Sequence, residues 1–250
     1  MRDYLEIARP VGRNYLWPKL RKCNPLDKPC GMPICRVCMR QYRRAVVSLT
    51  LPHLHRKMDQ GYRPFYATFI YPQRRLRLSG IQFKTLQKFL KLPQNFRVWL
   101  KDNGLGDLMV SGTIEFDWSE KDECWEPHCH LVIMSENKRK LSRIFGKYFR
   151  SPKKPTKTRV RIKQPKRISE VDLPHLPRAL AYTVKFSPKL RKPRKRGEVR
   201  PRKRPPLEGR ELYTAIKWLG VLDPEDLVIR RKLQLTGSTG PNPRIVETND

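Results

Sequence analysis

Hydrophobic positions in this chain come in short runs parted by polar turns and prolines, and the spacing within each run predicts an element. RPFYATFIYP is dense in aromatic and β-branched residues and stops at Pro72, which predicts a strand. SGIQFKTLQKFLKL repeats Ile81, Leu86, Phe89 and Leu90 at helical spacing behind Ser79 and Gly80, which predicts a helix. DLMVSGTIEFDW reads as a second strand, SEKDEC as a polar turn and WEPHCHLVIMS as a third strand. SENKRKLSRIFGKYF predicts an amphipathic helix capped by Ser135. TRVRIKQ alternates, with Val160 and Ile162 on one side, and reads as a fourth strand. PHLPRALAYTVKFSP predicts a helix bounded by prolines with Pro177 in its first turn, and ELYTAIKWLGVL a last helical piece. RQYRRAVVSLTLPHLHRKMDQG fits helix or strand. Strands and helices mixed in this order make an α+β chain, with a central antiparallel sheet and flanking helices.

The gaps between runs divide the chain. Residues 1–45 form a basic segment with a Cys-rich loop, 46–188 the main domain, 189–206 a basic Pro-rich linker and 207–236 a helical segment; 237–250 is a polar tail expected to be disordered. Charge then changes the picture. Against 23 Asp and Glu stand 55 Lys and Arg, a net charge of +32. Such a charge repels itself unless a polyanion neutralises it, and phosphate contacts with counterion release make nucleic acid the expected partner. An anionic membrane is the rival. However, no apolar run spans a bilayer and no apolar leader core stands at the N-terminus, so a cytoplasmic chain without membrane contact is expected. Lys189, Arg191, Lys192, Arg194, Lys195 and Arg196 open a stretch too basic and Pro-rich to pack a core, expected to lie along DNA phosphates. No GxxxxGK loop occurs, so the chain carries no helicase of its own, and no small-molecule cofactor is expected.

Two clusters suggest metal chemistry. Cys23, Cys30, Cys35 and Cys38 lie in a Pro- and Gly-rich loop ending in a Cys-x-x-Cys pair. Without sign of an oxidising compartment, that pattern reads as a tetrahedral structural zinc site rather than disulfides, although the spacing between Cys23 and Cys30 is unusual. Four thiolates leave no open position, so such a site is a staple or a nucleic-acid knuckle. His128 and His130 share one face of the third strand, because strand residues alternate. Folding the second strand back across SEKDEC puts Glu115 opposite His128, so two imidazoles and a carboxylate converge on one patch. That donor set suits a divalent ion with positions left for substrate. The plainer alternative is a pair of merely hydrogen-bonded strand histidines. On the helix ALAYTVKF, Tyr182 and Lys185 lie three apart on one face with Arg178 one turn earlier, a face suited to a phosphate.

GTIEFDWSEKDECWEPHCHLVI followed by YTVKF resembles the HUH endonucleases, in particular the rolling-circle replication initiators of small bacterial plasmids. PHCHLVI is similar to the family's proline–His–x–His followed by aliphatics, and YTVK to its tyrosine–x–x–lysine. The resemblance covers roughly residues 20–190 and implies an upstream strand of the type phenylalanine–x–threonine, for which FYATFIYP fits best and VVSLTLP is a second candidate. It implies a sheet with helices on one side, related to the ferredoxin-like fold. It also implies Mg2+ or Mn2+ held by His128, His130 and Glu115, Tyr182 as the nucleophile and Lys185 as its helper. The implied activity is nicking and joining of single-stranded or hairpin DNA at a replication origin through a 5′-phosphotyrosine, with a host helicase as partner, in a bacterial cytoplasm. A one-tyrosine transposase or relaxase shares this motif. From other classes, a non-catalytic zinc-knuckle nucleic-acid-binding protein and a hydrolase using metal-activated water remain open.

Overall fold

The structure is a computed structural model, and it describes residues 20–24, 30–70, 76–77, 83–148, 167–186, 188–191, 207–219, 222, 224–236 and 244–246. RQYRRAVVSLTLPHLHRKMDQG, open between helix and strand on sequence, lies in helix α1 (Arg36–Asp59) up to its last turn, with Arg56 and Lys57 against the negative end of its dipole. Gln60 and Gly61, the latter at φ +87°, then turn the chain into β1 (Arg63–Ile70). The short β2 (Leu76–Arg77) and helix α2 (Phe83–Asp102) follow. The long hairpin comes next, β3 (Val110–Ser119) and β4 (Cys124–Ser135), closed by residues 120–123 with Glu123 at φ 46°. Helix α3 (Lys138–Tyr148) is capped by Asn137, not Ser135: Asn137 Oδ1 accepts from the Lys140 amide at 3.0 Å, while Ser135 Oγ accepts from Asn137 N. The stretch TRVRIKQ lies outside the described residues; the next described strand is β5 (Arg167–Glu170). A 3-10 turn (Leu173–His175) leads into α4 (Leu176–Thr183) with proline in its first turn. The chain ends with β6 (Leu190–Arg191), α5 (Gly209–Leu219), a 3-10 turn (Pro224–Leu227), β7 (Val228–Arg231), β8 (Gln234–Thr236) and β9 (Arg244–Val246).

The main sheet runs β5-β1-β4-β3, and β2 pairs with β4 beyond the end of β1. The outer edge of β3 takes two partners: β7 antiparallel along Val110–Thr113, and β6 parallel at Trp118–Ser119. The antiparallel expectation thus holds for the body of the sheet and fails at β6. Two expected segments also join the fold. Residues 207–236 supply β7 to the main sheet, and Arg244–Val246, expected in a disordered tail, pairs with β8.

Alternation divides the sheet into two faces. Phe65, Ala67 and Phe69 of β1 stand opposite Ile133, Leu131 and Cys129 of β4, and Val110, Gly112 and Ile114 of β3 complete that apolar face. Phe96 and Leu100 of α2 and Leu141 and Phe145 of α3 pack on it, with Phe69 and Phe145 stacked at 4.7 Å between ring centres. On the opposite face, Leu54 of α1 and Leu176 and Leu180 of α4 cover Val132 and Met134. Every residue of β3 and β4 is buried, so helices lie on both faces rather than one. Gly112 leaves no room for a side chain: a Cβ there would stand 2.0 Å from the His130 carbonyl oxygen.

Candidate functional site

The polar half of the second face is built by register. Glu115 pairs with His128 and Thr113 with His130, the register expected from folding the hairpin about SEKDEC. On the other side of β4, Thr68 pairs with His130 and Ile70 with His128. Of the two candidate upstream segments, FYATFI is therefore the strand beside the histidines, while VVSLT lies inside α1.

Second contacts orient both imidazoles. His128 Nδ1 lies 3.3 Å from the Glu126 carbonyl oxygen, which can only accept; Nδ1 therefore donates and Nε2 carries the lone pair. Thr68 donates to Tyr66 Oη at 3.3 Å, so toward His130 Nδ1, 2.9 Å away, its oxygen accepts. Tyr66 Oη lies 2.6 Å from the same Nδ1, and the two rings stack at 16°. Burial pushes the Tyr66 hydroxyl well above its ordinary pKa, which keeps it a neutral hydrogen-bonding group. Both Nε2 atoms turn to Glu115: His128 at 3.7 Å and His130 at 4.0 Å from Oε2.

Those separations exceed a hydrogen bond. They are wider than the edges of about 2.8–3.6 Å in a shell with bonds of about 2.0–2.2 Å, so the side chains must draw in slightly to share one ion; the three donor atoms lie within 4.8 Å of one another. Two imidazoles and a carboxylate, oriented from behind and 91% or more buried at the side chain, are a donor set that suits a divalent ion. Asp117 adds a second carboxylate, 3.9 Å from His128 Nε2. Sequence alternation did not single out Asp117, although it lies two residues from Glu115 on the same strand face as the other candidate residues.

Tyr182 arrives from α4. Leu176 and Leu180 bury one side of that helix, which leaves Arg178 and Tyr182 exposed together, Tyr182 at 46%. The Tyr182 ring stands edge-on to His130, 5.0 Å between centres, and 6.0 Å from Tyr66. Lys185 is not on the helix as expected, because α4 ends at Thr183 and Val184 leaves helical geometry. The departure is anchored from two sides: Thr113 Oγ1 donates to the Thr183 carbonyl at 2.5 Å, and Arg43 Nε of α1 to the Val184 carbonyl at 3.1 Å. Lys185 nevertheless keeps its Nζ 5.3 Å from the Tyr182 ring centre. Further on, the Lys189 amide donates to Asp117 Oδ1 at 3.1 Å, which fastens this stretch to the acidic strand. Arg191 lies in β6; Lys192, Arg194, Lys195 and Arg196 lie outside the described residues.

The four clustered cysteines meet in space. Cys23 Sγ is 3.3 Å from Cys38 and 3.7 Å from Cys35, and Cys30 is 3.6 Å from Cys38. A tetrahedron with 2.3 Å metal–sulfur bonds has edges of about 3.8 Å, so the cluster fits a zinc-type ion. Hydrogen bonds from Cys30 and Cys38 pull the Cys35 thiol down to about 2. Hydrogen bonding with Cys35 and Cys38 pushes Cys30 far up. For Cys38 the bond with Cys30 lowers the value, but Cys35, burial and Cys23 outweigh it and bring it to about 11. A thiolate held among thiols is the charge distribution that a cation would complete. Two groups of metal-ligating residues therefore occur among the described residues. No helix among these residues is long and apolar enough to cross a membrane. No family model, curated protein or solved structure matches the chain.

Proposed function

We propose that the chain is a metal-dependent single-strand DNA nicking and joining enzyme of the HUH type, acting as a rolling-circle replication initiator. One observation carries the reading: Tyr182, over fifty residues beyond the histidines in sequence, stands against His130 on the face that holds Glu115 and His128. An ordinary surface tyrosine has no reason to be exposed beside a buried two-histidine, one-carboxylate cluster with a lysine over its ring. His128, His130 and Glu115 would hold the divalent ion, with Asp117 beside them. Such an ion, when bound, would supply charge neutralisation at the scissile phosphate. Tyr182 Oη attacks phosphorus and gives up its proton; the new bond joins tyrosine to the 5′ phosphate, and the 3′ oxygen leaves to become a hydroxyl on gaining a proton. The phosphodiester is exchanged, not hydrolysed, so an incoming 3′ hydroxyl reverses the step and religates. Lys185 places positive charge where the phosphate must sit, and Arg178 lies on the exposed side of the same helix. The test is incubation of the full chain with Mn2+ or Mg2+ and end-labelled single-stranded DNA. Wild type should form a covalent adduct that maps to Tyr182, and Tyr182→Phe should bind DNA with unchanged affinity and form none. An adduct on another tyrosine would overturn the assignment. Cleavage without any adduct would favour a hydrolase, and DNA binding without cleavage a non-catalytic knuckle protein.

A further inference from the structure

A groove of about 340 Å³ runs between the start of α1, the stretch after Tyr182, and α5. Arg36, Arg40, Arg43, Lys185 and Lys189 line it, and among the described residues no carboxylate does. The three arginines recur at i, i+4 and i+7, so they form one stripe along α1. Beneath the cations the lining is apolar, with Met39, Phe186 and Leu212 all buried. Lys185 belongs to both places: it lines the groove, and its Nζ stands over the Tyr182 ring. The groove therefore opens at the nucleophile.

Its chemistry selects an occupant. Five cations, with no carboxylate among the described lining residues, give the groove a positive potential that attracts a polyanion. A duplex offers phosphates but keeps its base faces stacked inside, so it has nothing to place on an apolar floor. A single strand offers both, phosphates at the rim and base faces below. We propose that this groove binds the single strand of DNA flanking the bond presented to Tyr182, with its phosphates along the α1 arginines. The proposal rests on the nicking reading for its placement beside a cleaved bond, and not for the binding itself.

The test compares two variants of the full chain with equal charge loss, using a short fluorescein-labelled single strand and anisotropy over a range of NaCl. Arg36→Gln/Arg40→Gln removes two groove cations; Lys138→Gln/Lys140→Gln removes two from the exposed start of α3. Each lost phosphate contact lowers the slope of log K against log salt by about 0.7 for single strands, so the groove variant should lose about 1.4 and the control close to nothing. Equal losses in both variants, or none in the groove variant, would overturn the proposal. So would equal slope loss on duplex, or loss on RNA but not on DNA. Crosslinking through iododeoxyuridine gives a second readout. Adducts on peptides spanning 33–43 or 185–189 support the groove, and adducts confined elsewhere defeat it. Binding needs no bond cleavage. A selective slope loss in a chain that forms no tyrosine adduct would uphold the groove and remove only the nicking reading.

Discussion

At the scale of single residues, the chemistry depends on which nitrogen of each histidine carries a proton. For His128 a backbone carbonyl decides, and for His130 the hydroxyls of Thr68 and Tyr66. On the proposed reading Tyr66 acts as a positioning residue, its hydroxyl 2.6 Å from His130 Nδ1 and its ring stacked on the imidazole. Tyr66→Phe retains the ring stack and removes the 2.6 Å contact. Calorimetric titration with Mn2+ should then show roughly tenfold weaker binding, the low end of the 10–100-fold range for such orienting partners because Thr68 remains. DNA affinity should not change and the adduct should still form on Tyr182, more slowly. Loss of the adduct with metal affinity intact would instead make Tyr66 a participant in the transfer.

At the scale of elements, α1 links the two candidate metal groups. Its first turn carries Cys38, one residue before it stands Cys35, and one turn further on Arg43 holds the Val184 carbonyl while Tyr42 packs against Phe186 at 6.0 Å. The start of a helix that contributes cysteines to a knot loses its anchor when the knot opens. Cys35→Ser/Cys38→Ser, or treatment with a strong chelator, should speed hydrogen exchange in the first turns of α1 and lower the melting midpoint by several degrees. Amides of β4 at the histidines should stay protected, because β1 and β3 pair on both sides of them. Protection lost uniformly across the sheet would mean that the cysteine knot holds the whole fold and not its entry helix.

At the scale of the whole molecule, a net charge of +32 acts against the compact state. Screening should relieve it: raising NaCl from about 0.05 to about 0.5 M, which shortens the Debye length more than twofold, should raise the melting midpoint by a few degrees. Single-stranded DNA should do so more strongly, adding about 2.7 kcal/mol at a hundred times its Kd. A midpoint that falls with salt would show that specific ion pairs, such as Arg230 with Glu225, outweigh the general repulsion.

Sequence alone determined what local rules govern. Alternation put His128 and His130 on one face, and a turn of set length placed Glu115 opposite His128, because a strand has only two faces and a hairpin only one register for each loop. Helical spacing likewise put Arg178 and Tyr182 on one exposed side of α4. The same alternation would have included Asp117, whose role becomes visible only from its distance to His128. Tertiary structure decided the rest. Periodicity carries the first turn of α4 through to Lys185, yet the helix ends at Thr183 because Thr113 and Arg43, distant in sequence, claim the carbonyls of Thr183 and Val184. Helices cover both faces because α1, undecided between helix and strand on sequence, folds as a helix and lies with α4 over Val132 and Met134. The parallel pairing of β6 and the arrival of β7 at the edge of β3 are long-range pairings that no window of sequence contains. The meeting of Tyr182 with His130 depends on all of these, since a contact between distant residues is set by the path of the chain between them and not by the pattern at either end.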